Sequence, residues 1–186
     1  MWRPEQTLIE GIELGIPSPE HARAAINSGL DLRVTPKIDT GLNRSGIDEA
    51  DWADTFRLLH DAPNIAVTGL FSHLACADEP GDPSVDEQAD VFRRAIAVAR
   101  DCELDVPTNH LSNSPAALTR PDLNFEMIRP GLACYGLSPI QGVDVGLRPA
   151  MTWAARVSIV KKITAGEGVS YGHTWHAPTD GYTAVI

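Results

Sequence analysis

Cysteine is scarce in this chain. Cys76, Cys102 and Cys134 are the three in 186 residues, odd in number, widely spaced and without a C-x-x-C pair. That spacing speaks against a disulfide framework or a zinc ribbon and fits a reducing, cytoplasmic compartment. Runs of Lys and Arg are missing as well, and the formal net charge is −10, which argues against a nucleic-acid partner. No apolar stretch reaches the roughly 18 residues that a membrane span takes. The N-terminus lacks the basic-then-apolar profile of a signal peptide. No H-x-H or H-x-x-E-H spacing points to a metal centre. No internal repeat or low-complexity tract is visible. Lysine is limited to Lys37, Lys161 and Lys162.

What remains is an alternation of apolar runs and amphipathic stretches. Ser18 and Pro19 read as the N-cap and first residue of a helix that Gly29 stops. A strand is expected over 32–38, and a helix over 51–59 with Trp52, Phe56 and Leu59 on one face. The run 65–74 reads as a strand ending at His73. Ser84 has the form of a capping box with Glu87, opening a helix whose stripe is Val85, Ala89, Phe92, Ile96 and Ala99. A short strand over 106–111 follows, and Ser114-Pro115 reads as another helix start. Strand and helix alternating over short connections argue for a parallel α/β domain. An eight-unit barrel takes about 250 residues, whereas five or six strand-bearing units can be counted up to residue 140. The expected organisation is a partial barrel over 1–141, a Gly- and Pro-rich linker over 142–149, and a β domain beginning at 150. In that β domain, 151–163 reads as one long strand and 182–186 as the start of another.

Polar residues fall just after the strands, the face on which α/β folds build sites. The focal stretch is M-I-R-P-G-L-A-C-Y-G at 127–136. It reads as a buried strand end, then Arg129, which needs an anion or other acceptor, then a turn whose Gly131 and Leu132 amides can meet a phosphate. The segments expected to converge on it are 37–46, His73, and 110–115. Taken singly, each has a structural reading: a paired Arg, an Asx turn at Asp39, or a satisfied core histidine.

Taken together, the segments have a family character. K-I-D-T-G-L-N-R-S-G at 37–46, S-H-L-A-C-A-D at 72–78, H-L-S-N-S at 110–114, R-P-G-L with Y-G at 129–136, and V-S-Y-G at 169–172 resemble, in order, the motifs of alanine racemases. The resemblance implies a pyridoxal 5′-phosphate (PLP)-binding (β/α)8 barrel of the TIM type followed by a β-strand domain. It also implies a homodimer with shared active sites. The implied activity is interconversion of L-alanine and D-alanine through a PLP aldimine with two bases, supplying D-alanine for peptidoglycan.

By position, the resemblance gives Arg129 the pyridine nitrogen of PLP. An Arg stays protonated, so that nitrogen would not be, and reprotonation at Cα would be favoured over transamination. Gly131, Leu132 and Ser114 would hold the phosphate, with Asn113 and His110 on the cofactor side of the site. Arg44 would reach the substrate carboxylate, and Lys37, carbamylated in the family's manner, would orient it. His73 and His110 would surround Arg129 and the catalytic Tyr. Tyr171 would be the base on the L side, reaching the site from the partner subunit. A phenol is a weak acid at neutral pH, so the role asks for positive charge nearby.

The sequence departs from the family in one respect. The motif K-A-x-A-Y-G-H-G that carries the PLP lysine does not occur, and Lys37 already matches another role. The expectation is an internal fragment that is inactive by itself. Rival readings are a PLP-binding barrel without racemase activity, a metal hydrolase using Asp39, His73 and His110, and a non-catalytic remnant.

Overall fold

The computed structural model describes residues 11–186; the N-terminal residues read for a signal peptide lie outside them. The chain forms two compact units, one extending to Ala150 and one spanning Met151–Ile186.

The first unit is built on three parallel strands, β1 (Leu14–Ile16), β2 (Leu32–Pro36) and β3 (Ile65–Val67), in the order β1-β2-β3. Leu14 pairs with Val34, and Val34 with Val67. Isolated parallel bridges carry the pattern on, from Lys37 to Phe71 and from Phe71 to His110. Parallel neighbours need crossover connections, and helices supply them: α1 (Pro19–Asn27), α2 (Trp52–His60) and α3 (Ser84–Asp101). A shorter helix, α4 (Ser114–Thr119), follows.

The local reasons agree with the sequence at several points. Ser18 caps α1 with Pro19 at its first position. Trp52, Phe56 and Leu59 are buried on α2, and the α3 stripe Val85, Ala89, Phe92, Ile96 and Ala99 is buried throughout. Phe92 meets Phe125 edge to face at 5.1 Å, a favoured aromatic geometry.

Several expectations are corrected. The run 65–74 is broken at Gly69, where a Cβ would lie 1.8 Å from the Thr108 carbonyl oxygen; the chain crosses too close there for a continuous ladder. The segment 106–111 forms no strand, and only His110 makes a bridge. Met127 and Ile128 are not a buried strand end but stand more than 40% exposed. The capping box at Ser84 does not form. Pro83 occupies the cap position, and the Ser84 N–H donates to Asp82 Oδ1 at 2.9 Å. Asn113, not Ser114, caps α4, its Oδ1 accepting from the Ala116 N–H.

The second unit has two antiparallel pairs. β4 (Ile159–Ile163) pairs with β7 (Gly181–Val185), and β5 (Gly168–Val169) with β6 (Trp175–His176). The long strand expected over 151–163 is ordered as strand only from Ile159. Among its hydrophobic residues only Ile163 and Ala177 are buried. Two pairs of strands with so small a core give little to offset the entropy of ordering the chain.

Candidate functional site

Arg129 is the centre of the polar cluster in the first unit. Its Nη1 donates to His110 Nδ1 at 2.6 Å and to the His110 carbonyl at 2.9 Å. Its Nη2 donates to the Ser72 carbonyl and, at 3.3 Å, to that of Leu111. The guanidinium lies over the Phe71 ring, 5.6 Å from its centroid, and Phe71 stacks on His110 at 5.3 Å and 14°. The acceptor expected for an Arg at this place is therefore a set of backbone carbonyls and one imidazole.

An Arg can only donate, so His110 Nδ1 must accept, and its proton sits on Nε2. Burial, followed by the Arg129 charge, pushes the His110 pKa down to about 4, against a smaller opposing pull from Glu13. The ring is neutral at ordinary pH and fixed in one tautomer. His73 is shifted the same way, by burial first and then by Arg129, Arg44 and Lys37; it belongs to the same positive field without a hydrogen bond to Arg129.

The turn after Arg129 is tied to α4. Ser114 Oγ accepts from the Gly131 N–H at 2.7 Å and from the Ala133 N–H at 3.3 Å. The Gly131 amide, expected to meet an anion, here donates to the Ser114 hydroxyl. Leu132 starts a short 3₁₀ turn, Leu132–Tyr135, and is not among the donors to Ser114.

The 37–46 loop brings two more cations. Lys37 is buried and its Nζ donates to Ser45 Oγ at 2.6 Å. Burial and the Arg44 charge lower its pKa, with Asp39 opposing and Arg129 adding to the fall. Arg44 is exposed and makes no side-chain hydrogen bond among the described residues. Asp39 does form an Asx turn, its Oδ1 accepting from the Gly41 and Asn43 N–H groups. At the loop's end a Cβ on Gly46 would lie 2.4 Å from the Asp39 N, so only glycine closes it. Among the described residues no three His, Cys, Asp or Glu side chains gather as metal ligands, and no helix is long and apolar enough to cross a membrane.

Tyr171 lies in the second unit, at a 3₁₀ turn, Tyr171–His173, and is 98% exposed. Ser170 and His173 flank it with positive φ values of 61° and 45°, a costly backbone for residues that carry a Cβ.

Sequence reasoning missed Gln88. It is 3% exposed on α3 and bonds to Thr40, His73 and Ala75. The available signal was a polar residue inside the apolar stripe that runs from Val85 to Phe92.

Two family models match the chain: the alanine racemase N-terminal domain over residues 4–139 and the alanine racemase C-terminal domain over 150–186. The alanine racemase of Corynebacterium efficiens is 55% identical over 193 aligned residues, covering 100% of this chain and 53% of that protein. The Corynebacterium glutamicum enzyme is 53% identical over 191, with the same coverage. The crystal structure of the latter superposes with a TM-score of 0.77 at 51% identity, over 89% of this chain and 51% of that one. The Streptomyces coelicolor alanine racemase gives 0.82 at 38% identity, over 99% and 52%. The chain spans about half the length of the relatives it matches.

Proposed function

The chain belongs to the alanine racemase family, and from that premise we propose that the protein carrying it interconverts L-alanine and D-alanine with pyridoxal 5′-phosphate as cofactor. The observation that carries this reading is Arg129, anchored through both terminal nitrogens to His110 and three carbonyls and followed directly by the Ser114-bound turn.

The residues fit the cofactor. The Nε–H of Arg129 takes no part in its four bonds, so one donor is left for a ring nitrogen. Ser114 Oγ accepts two N–H bonds, which leaves its own proton to donate to a phosphate oxygen. Gly131 and Ala133 support that hydroxyl; Leu132 and Asn113 complete the phosphate side. Bound PLP supplies the electron sink that makes the Cα proton of alanine removable.

The chain's own residues do the rest. Arg129 gives hydrogen bonds and never a proton, so it orients a ring nitrogen without protonating it. His110 is neutral and cannot compete as a donor at Nδ1; it buttresses Arg129. His73, kept neutral by burial and by the neighbouring cations, lies beside the positive charge of Arg129 and Arg44 that a phenolate needs. Arg44, unpaired within the described residues, faces a substrate carboxylate. Lys37, buried with a lowered pKa, holds a larger share of neutral amine, the form that carbamylation consumes; the modified side chain would orient Arg44. Tyr171, presented on its strained turn, removes or returns the Cα proton on the L side, in a homodimer that brings it to the partner's site. The three free cysteines suit a reducing cytoplasm, where D-alanine would serve peptidoglycan.

No lysine of this chain is assigned to PLP. Lys37 is bonded to Ser45, and Lys161 and Lys162 lie in β4, so the isolated 186 residues are proposed to be inactive. The test is a chimera in which this chain replaces the matched region of the Corynebacterium glutamicum enzyme. Chiral separation after incubation with L-alanine and PLP should find D-alanine, and Arg129→Ala should abolish it. A folded, PLP-loaded chimera without turnover would overturn the reading. Turnover by the isolated chain would overturn the proposal that none of its lysines carries PLP; Lys37, Lys161 or Lys162 would then have to do so.

A further inference from the structure

We propose that Gln88 is a positioning residue that locks the 37–46 loop and the His73 segment in register against α3, a reading that rests on the proposed racemase site and names what fixes Arg44 and His73 within it.

Gln88 sits on the α3 face that also buries Val85, Ala89 and Phe92, a place where an apolar side chain would pack. A buried carboxamide there costs stability unless its polar atoms are paired, and here they are. Gln88 Oε1 accepts from the Ala75 N–H at 2.8 Å. That donor fixes the amide orientation, so Nε2 faces the other way. Its two protons go to the His73 carbonyl and to Thr40 Oγ1, each at 3.1 Å.

From Thr40 the direction of every further bond is determined. Ser72 Oγ donates to the Ile38 carbonyl at 2.7 Å, so its proton is spent. Thr40 must then donate in the 2.8 Å contact between the two hydroxyls. The result is a one-way chain from the Gln88 amide through Thr40 and Ser72 to the Ile38 backbone, with Thr40 and Ser72 both buried. Ser72 also offers its carbonyl to Arg129. One side chain thus connects the helix, the loop that carries Lys37 and Arg44, and the segment that carries His73 and receives Arg129. Gly41 of the same loop passes over its stem, where a Cβ would stand 3.5 Å from Gln88 Cγ.

Two substitutions separate register from packing. Gln88→Glu keeps the shape, removes both donors and sets a carboxylate against the His73 carbonyl. Gln88→Met keeps the volume and removes all three bonds. The measurement is segment-resolved amide hydrogen exchange on the full chain, without PLP or alanine, so it is independent of whether the protein racemises anything. In the unaltered chain 37–46 and 72–76 should be protected. In both variants their exchange should quicken by on the order of ten-fold while 92–99 of α3 stays unchanged. The proposal is overturned if the unaltered segments are unprotected, or if Gln88→Glu leaves them as they were. It is overturned equally if that variant accelerates 92–99 to the same degree, which would make Gln88 a residue of core integrity and not of register.

Discussion

Arg129 and Tyr171 carry the proposed chemistry between them, and the two units treat them in opposite ways. Arg129 is held by four hydrogen bonds and an aromatic face, all from segments that end the parallel sheet of its own unit. Tyr171 is 98% exposed and makes no side-chain hydrogen bond among the described residues; only a strained turn fixes where it points. The surroundings differ in the same sense. The first unit buries a continuous core from Ile16 to Leu123, whereas the second buries Ile163 and Ala177. Arg129 is therefore organised by the packing of its own unit, while Tyr171 is left facing solvent in its own.

The comparison breaks most sharply at Arg129. Arg129→Met would leave the His110 nitrogen and the carbonyls of Ser72 and Leu111 without their donor, and should cost about 3 kcal/mol in urea unfolding. A loss below about 0.5 kcal/mol would mean that the site is not held as described.

A smaller effect follows from His110. Its folded-state pKa lies near 4, below the ordinary 6.5. The unfolded chain takes up the proton first, so stability is full above about 6.5 and falls as pH drops towards 4, by on the order of 2 kcal/mol. His73 adds in the same direction. His110→Asn, which keeps an acceptor for Arg129, should flatten the slope between these pH values; an unchanged slope would assign the acid sensitivity to other groups.

Smallest for stability, and largest in contrast, is Tyr171→Phe. It should move unfolding by less than about 0.5 kcal/mol yet lower D-alanine formation by the chimera by at least about 100-fold. A large loss of stability would make Tyr171 a packing residue.

Much of this was legible in the sequence because it depends on local rules. The Ser18-Pro19 start of α1 and the stripes on α2 and α3 follow from capping and from helical periodicity. The strands were harder. The run 65–74 has the right residue types throughout, but Gly69 must pass the Thr108 backbone at a distance no side chain allows, a tertiary contact invisible in one dimension. At Ser84 two capping solutions were available, and Asp82, two residues earlier, supplied the acceptor. The site was readable as a set of polar residues after strands; which backbone groups meet Arg129 was not. Gln88 left only the trace of a polar residue in a buried stripe, because its three partners come from segments 13 to 48 residues away in sequence.

The most direct test of the cofactor assignment is a titration of the ¹⁵N-labelled chain with PLP, followed by amide and Arg side-chain resonances. The Gly131, Leu132 and Ala133 amides and the Arg129 Nε–H should move together, and Arg129→Ala should remove the response. Resonances at these positions that stay still while those around Lys161 and Lys162 shift would contradict the assignment of Arg129 and the Ser114-bound turn to the cofactor.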